Sequence, residues 1–238
     1  MSGGPILAIA HRAGNSLASL RAALDAGVDL VEADVHLFRQ ALEVRHCKAI
    51  GRHLFWERWC DLDLRRRVAL PELADVLAVA AGDPRLMLDL KGPALGVAPQ
   101  VAAALRRLAP GVPVTICTKQ WRMLDAFEAD THVRRVFSAS DPLQLARLRA
   151  RIRSCPGGAQ PEPGSGGGAH PQRRTAFGVS IRLALLTPPV VAELLRRTSV
   201  VMAWPVDTEA DFDRARRLGV TGVISKNLDL LNRLVAAR

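Results

Sequence analysis

Eight short aliphatic runs, each followed by a helical pattern, set what this sequence can fold into. The runs are Leu7–Ala10, Leu30–Val35, Arg85–Leu90, Val112–Cys117, Val133–Ser138, Phe177–Ile181, Val200–Val206 and Gly222–Ser225. Helical patterns follow at Ser16–Ala26, with Gly27 just past its end, then at Pro71–Ala81, Val97–Leu108 and Gln120–Ala129. Pro142–Arg153, Pro188–Arg197, Glu209–Leu218 and Leu228–Ala237 complete the set. Pro71 stands where a proline suits the opening of a helix. Eight parallel strands without a signal for a sheet edge predict an α/β fold of the TIM-type (β/α)8 barrel class. An open doubly wound sheet would need GxGxxG after the first strand, and the sequence there is HRAGNS. One further run, Leu42–His46, has about six residues between it and Val35, too few for a parallel crossover. It predicts a short antiparallel ribbon after strand 2. Ser154–Arg174 is rich in Gly and Pro and reads as a flexible loop within one domain spanning residues 1–238, because the alternation resumes beyond it.

Composition narrows the function classes. With 49% hydrophobic and 24% charged residues the chain can bury a sizeable core, which excludes disorder. No apolar run reaches about 18 residues, so no transmembrane segment is expected. The opening MSGGPILAIAHR lacks a basic leader and meets His11 and Arg12 early, against a secretion signal. Cys47, Cys60, Cys117 and Cys155 show no CxxC pair, which argues against a disulfide scaffold or structural zinc and for a reducing, cytoplasmic setting. The net charge of +10 is nearly all arginine, since Lys48, Lys91, Lys119 and Lys226 are the only lysines. Arg147, Arg149, Arg151 and Arg153 read as solvated helix surface. Tyrosine is absent and aromatics are 4%, so a base-stacking platform is poorly supplied and no specific nucleic-acid partner is expected. What survives is an attraction for small anionic, phosphate-bearing substrates.

Reactive groups of such barrels sit at the C-terminal strand ends. His11 and Arg12 fall there after the first strand, a pair that alone reads more readily as structural than as functional. Glu32 and Asp34 lie two apart on the second strand, so a period of two points both carboxylates to one face. Inside a barrel such a pair is costly unless a cation bridges it. Asp89 and Lys91 repeat the spacing in LMLDLKG, open to a buried ion pair or to a metal ligand beside a phosphate-binding cation. If the ribbon turn centres near Gln40, His46 lies across from Asp34. Two histidines and three carboxylates converging on one mouth point to a hydrolytic metal site.

In this order the residues resemble the glycerophosphodiester phosphodiesterase family, a branch of the phosphatidylinositol-phospholipase-C-like barrels. The matching segments are IAHRAGNSLASLRAALDAGVDLVEADVHL, VRHC, ALPELADVL, LMLDLKG, VMAWPVDTEADFDRARRLGVTGVIS and NLDLLNRL. The resemblance implies metal-dependent hydrolysis of glycerophosphodiesters to glycerol 3-phosphate and an alcohol. It implies Mg²⁺ or Ca²⁺ on Glu32, Asp34 and Asp89, with His11 and His46 as general acid and base. Arg12 and Lys91 would take phosphoryl charge, and Trp204 would pack against the alcohol or the barrel core. His36 matches in type, but a continued strand is read as turning it away from Glu32, so it stays outside the catalytic set. Other readings are a non-catalytic anion-binding barrel and a lysophospholipid-cleaving enzyme using the same site.

The chain departs from the family pattern at several positions. Ala13 replaces a glycine, Gly14-Asn15-Ser16 stands where Pro-Glu-Asn-Thr is usual, and the ribbon turn is Arg39-Gln40-Ala41. Cys47 follows the returning histidine in place of Asp, Asp89 replaces Glu, and Ser225-Lys226 replaces Thr-Asp.

Overall fold

The computed structural model describes residues 5–56, 62–64, 69–154 and 177–238. Its organising fact is ring closure: β1 (Leu7–Ala10) pairs in parallel with both β2 (Leu30–Phe38) and β12 (Gly222–Ser225). Between them run β7 (Leu86–Leu90), β8 (Val114–Thr118), β9 (Val133–Ala139), β10 (Gly178–Arg182) and β11 (Val200–Trp204), each parallel to the next. The ring is the expected closed eight-stranded barrel. Helices α1 (Leu17–Asp25), α2 (Leu73–Ala80), α3 (Val97–Leu108), α4 (Pro142–Ser154), α5 (Pro188–Leu195), α6 (Glu209–Leu218) and α7 (Leu228–Ala236) flank it. Most of the Ser154–Arg174 loop lies outside the described residues.

Strand alternation divides the apolar residues into two cores. Ile9, Leu30, Met87, Cys117, Val136, Val200, Met202 and Ile224 fill the barrel interior. Their neighbours one residue along, such as Ala8, Val31, Leu88, Ile116 and Val201, pack outward among the helices. Following the interior positions toward the C-terminal ends, apolar side chains give way to Glu32, Asp34, Asp89, Ser138 and Ser180, then to His11, Lys91 and Trp204. The barrel therefore has a dry floor and a polar mouth.

The ribbon forms, with a different register. β3 (Ala41–Val44) pairs with β2 as Val35↔Val44 and Phe38↔Ala41. The turn is two residues, Arg39-Gln40, with Arg39 at φ 57°. Asp34 thus faces Arg45, whose N–H donates to the Asp34 carbonyl at 2.9 Å, and not His46. The expected centre at Gln40 was half a residue too far along, and that shifts pairing by one. A second unforeseen feature is a three-stranded antiparallel sheet of β4 (Lys48–Ile50), β5 (Leu54–Trp56) and β6 (Leu62–Leu64). Two helix readings also need correction. Pro71 does not open α2: its carbonyl accepts from Val44 N–H at 2.9 Å, and Glu72 caps the helix with its own N–H bound by Asp75. Gln120–Ala129 is not an α-helix but a 3-10 turn over Trp121–Phe127. It starts where Gln120 N–H bonds Thr118 Oγ1, which pulls the chain tight against the end of β8.

Gly14 explains one departure from the family pattern. A Cβ there would meet Ala33 Cβ at 2.5 Å and the Glu32 carbonyl at 3.0 Å, so the chain after β1 lies directly on β2. That contact seats Asn15 beside Asp34 and lets Ser16 cap α1. Gly14→Ala is expected to lower stability by about 1–3 kcal/mol, the usual cost of overpacking, read as a lower urea midpoint with an unchanged slope.

Candidate active site

The mouth is built around Asp34. Its backbone N–H donates to Asn15 Oδ1 at 2.8 Å, and its Oδ2 accepts from Asn15 Nδ2 at 2.8 Å. One amide thus fixes both the backbone and the carboxylate. Lys91 Nζ sits 2.8 Å from Asp34 Oδ1 and closer still to Asp89 Oδ2. Asp34 and Asp89 are register partners on β2 and β7, so alternation brings both inward at one level. Burial raises the Asp34 carboxyl, but the Lys91 charge and the bonds from Lys91 and Asn15 outweigh it and hold the pKa at about 2. Lys91 is pushed up in turn: burial opposes its charge, while Asp89, Asp34 and Glu32 prevail.

Glu32 and Asp89 go the other way. Burial raises both carboxyls, with Asp34 adding repulsion to each. Single oxygens of Glu32, Asp34 and Asp89 lie within 4.8 Å of one another. Three acids at this polar mouth outnumber the two cations beside them, Lys91 and Arg12, and an all-oxygen donor set suits a hard divalent cation. The residues present therefore fit Mg²⁺ or Ca²⁺.

Arg12 is left-handed, φ 60° and ψ 8°, a conformation few non-glycine residues adopt. The turn aims its backbone N–H at Glu32 Oε2, 2.6 Å away, and brings its Nε to 4.0 Å from Asp34 Oδ2. The left-handed residue is thus the arginine itself, which leaves Ala13 in place of the usual glycine without strain. His11, one residue earlier, places Nε2 3.9 Å from Glu32 Oε2. Burial and the adjacent Arg12 charge lower its pKa to about 4, so it is neutral at pH 7.

His46 sits in a bend just past β3, and its charge is felt at both Asp34 and His36. Buried Arg45 shapes that bend. Its Nε donates to Glu43 at 2.9 Å, another guanidinium nitrogen donates to the Cys47 carbonyl, and the cation lies 5.2 Å over Phe55. Strand pairing ends at Val44, so His46 lies past the ladder, and what links it to the acids is its electrostatic influence on Asp34. Trp204, the last residue of β11, packs on the interior core with its indole N–H buried at the mouth.

Three residues escaped the sequence reading. β2 continues to Phe38, and a period of two keeps His36 on the face of Glu32 and Asp34, so it is not turned away. Burial, then Arg45, lowers its pKa to about 4. Lys119, just past β8, lies 5.0 Å over the Trp204 ring, and Lys226, just past β12, acts on His11. Strand parity could have found all three.

No family model matches the sequence, and no curated protein does. Solved structures do. A glycerophosphodiester phosphodiesterase from Parabacteroides distasonis matches with TM-score 0.68 at 18% identity, covering 99% of each chain. An Oleispira antarctica phosphodiesterase, solved with the product sn-glycerol-3-phosphate, matches with TM-score 0.67 at 18% identity, over 97% of this chain and 96% of that one. A calcium-dependent phosphoinositol-specific phospholipase C from Pseudomonas matches with TM-score 0.57 at 10% identity, over 94% and 89%. The fold is thus the one that the motif resemblance leads one to expect.

Two outcomes follow. Asn15→Ala strands the buried Asp34 amide and is expected to cost about 1–3 kcal/mol in chemical denaturation. Ca²⁺ or Mg²⁺ is expected to raise the melting temperature relative to EDTA, by about 2.7 kcal/mol of added stability at a hundred times Kd. Glu32→Gln with Asp89→Asn should abolish the rise; a midpoint indifferent to both ions in the parent protein counts against the site.

Proposed function

We propose that the chain is a divalent-cation-dependent phosphoric diester hydrolase, cleaving glycerophosphodiesters to glycerol 3-phosphate and an alcohol. What supports this reading is the convergence of Glu32, Asp34 and Asp89 within 4.8 Å, bordered by Arg12, Lys91 and His11 at the C-terminal mouth of a barrel. The sn-glycerol-3-phosphate bound to the Oleispira phosphodiesterase supports glycerophosphodiesters as the substrate class.

Glu32, Asp34 and Asp89 would hold Mg²⁺ or Ca²⁺, which when bound supplies Lewis-acid polarisation of a phosphoryl oxygen. The protein groups do the rest. Arg12 and Lys91 draw the phosphate's negative charge into the mouth, the guanidinium by paired N–H donors and the ammonium as a point charge. Asn15 keeps Asp34 oriented while they do so. His11, neutral at pH 7, is in the form that accepts a proton, and its Nε2 faces Glu32. It takes the proton of the attacking water, and His46, from the returning ribbon, gives one to the departing alkoxide. Trp204 offers an apolar wall for the alcohol.

No helix among the described residues is long and apolar enough to cross a membrane. The cysteine usage supports a reducing, cytoplasmic compartment.

With Mg²⁺ or Ca²⁺ present, the purified protein is expected to release choline from glycerophosphocholine. His11→Ala and His46→Ala should each lower kcat by about 10²–10⁴-fold, the range for losing one acid–base group, without lowering the melting temperature by more than a few degrees. Diester binding without turnover under either ion would instead mark a non-catalytic anion-binding barrel.

A further inference from the structure

Outside the acid cluster, a cleft of about 500 Å³ opens between the 3-10 turn and α4, lined by Lys119, Arg122, Asp125, Gln144, Arg147 and Arg151 among others. Its charge is one-sided, four cations against one carboxylate. The arginines of α4 divide by face. Arg149 and Arg153 turn to Glu193, each with a guanidinium nitrogen 2.9 Å from its carboxylate. Gln144, Arg147 and Arg151, spaced three and four apart, share the other face and line the cleft. Among the described residues, ion pairing to carboxylates engages neither Arg122 nor Arg147 nor Arg151.

The cleft wall is also held in place. Trp121 donates its indole N–H to the Ser138 carbonyl at 2.9 Å and meets Phe137 edge-on at 5.9 Å, and the Arg151 guanidinium lies 5.2 Å over that Phe137 ring. Lys119 joins this cleft to the mouth. It lines the cleft, yet its ammonium lies 5.0 Å over Trp204 and exchanges electrostatic influence with Asp89 and Lys91. β8 and β11 are separated by β9 and β10, so the lysine reaches across the rim.

We propose that this cleft is a second anion subsite, and that the preferred substrate is a diester whose leaving alcohol itself carries a phosphate. The inference rests on the phosphodiesterase reading. Planar guanidinium groups free of carboxylate partners match a phosphomonoester by paired N–H donors. A volume of this size lies within the range that takes a small organic phosphate. Lys119 spans the gap between the two phosphates, and Trp204 packs the carbon skeleton between them.

The test compares glycerophosphoglycerol with the same diester bearing a terminal phosphate. Wild-type kcat/KM is expected to be at least 10-fold higher for the phosphorylated diester at low salt, shrinking as salt rises. Arg122→Gln/Arg147→Gln should bring the ratio to within about 2-fold of unity through KM of the phosphorylated diester. Arg147→Gln alone serves if the double variant does not fold. Equal kcat/KM in the wild type, or a ratio the variants leave unchanged, overturns the subsite. Should neither diester turn over, the phosphodiesterase reading fails separately. Calorimetry of both diesters in EDTA then decides the cleft: tighter binding of the phosphorylated one, lost in the variants, upholds it, and equal binding overturns it.

Discussion

Three carboxylates and one lysine enclosed at the end of a closed barrel are the constraint that shapes the mouth. Like charges in a dry cavity repel strongly, so each acid must be held by a donor, neutralised by a cation, or protonated. The three acids take different routes. Asp34 is held ionised by Lys91 and Asn15, whereas Glu32 and Asp89 are pushed toward their neutral forms. That asymmetry leaves an opening for a doubly charged ion, because Lys91 offsets only part of the negative charge. The apolar floor of Met87, Ile224 and their neighbours offers the acids no donor from below.

Around this centre the architecture works by close backbone approach. Gly14 lets the chain after β1 press on β2, Asn15 then reaches Asp34, and left-handed Arg12 turns its N–H onto Glu32. The ribbon works on the opposite side through Arg45, whose bonds to Glu43 and the Cys47 carbonyl bend the chain at His46. Cys47 thus contributes a carbonyl to the clasp where the family pattern has an Asp side chain. The same rim carries Lys119 and Lys226, cations that give the mouth a basic border, and Lys119 also lines the arginine-rich cleft.

Most of the barrel was legible because its strands are apolar on both faces and separated by amphipathic helices. β1 and β12 have the bounds read from the sequence, as do α3 and α6. The convergence of Glu32, Asp34 and Asp89 was legible too, since strand period and strand adjacency together fix which side chains share a level. What failed was local geometry. The ribbon register depended on a two-residue turn, and half a residue of error in its centre moved His46 off Asp34. His36 was misplaced by a parity slip, and β4, β5 and β6 are three residues each, too short for a strand period to show.

The sequence by itself determined the ring of strands, the faces they bury and the residue types delivered to their C-terminal ends, because those follow from periodicity and from the cost of exposing apolar surface. Only the tertiary structure decided how the acids share charge, how His46 returns, and that arginines on one helix divide between Glu193 and an open cleft. Those outcomes depend on distances between groups far apart in the chain, which periodicity along the chain does not fix.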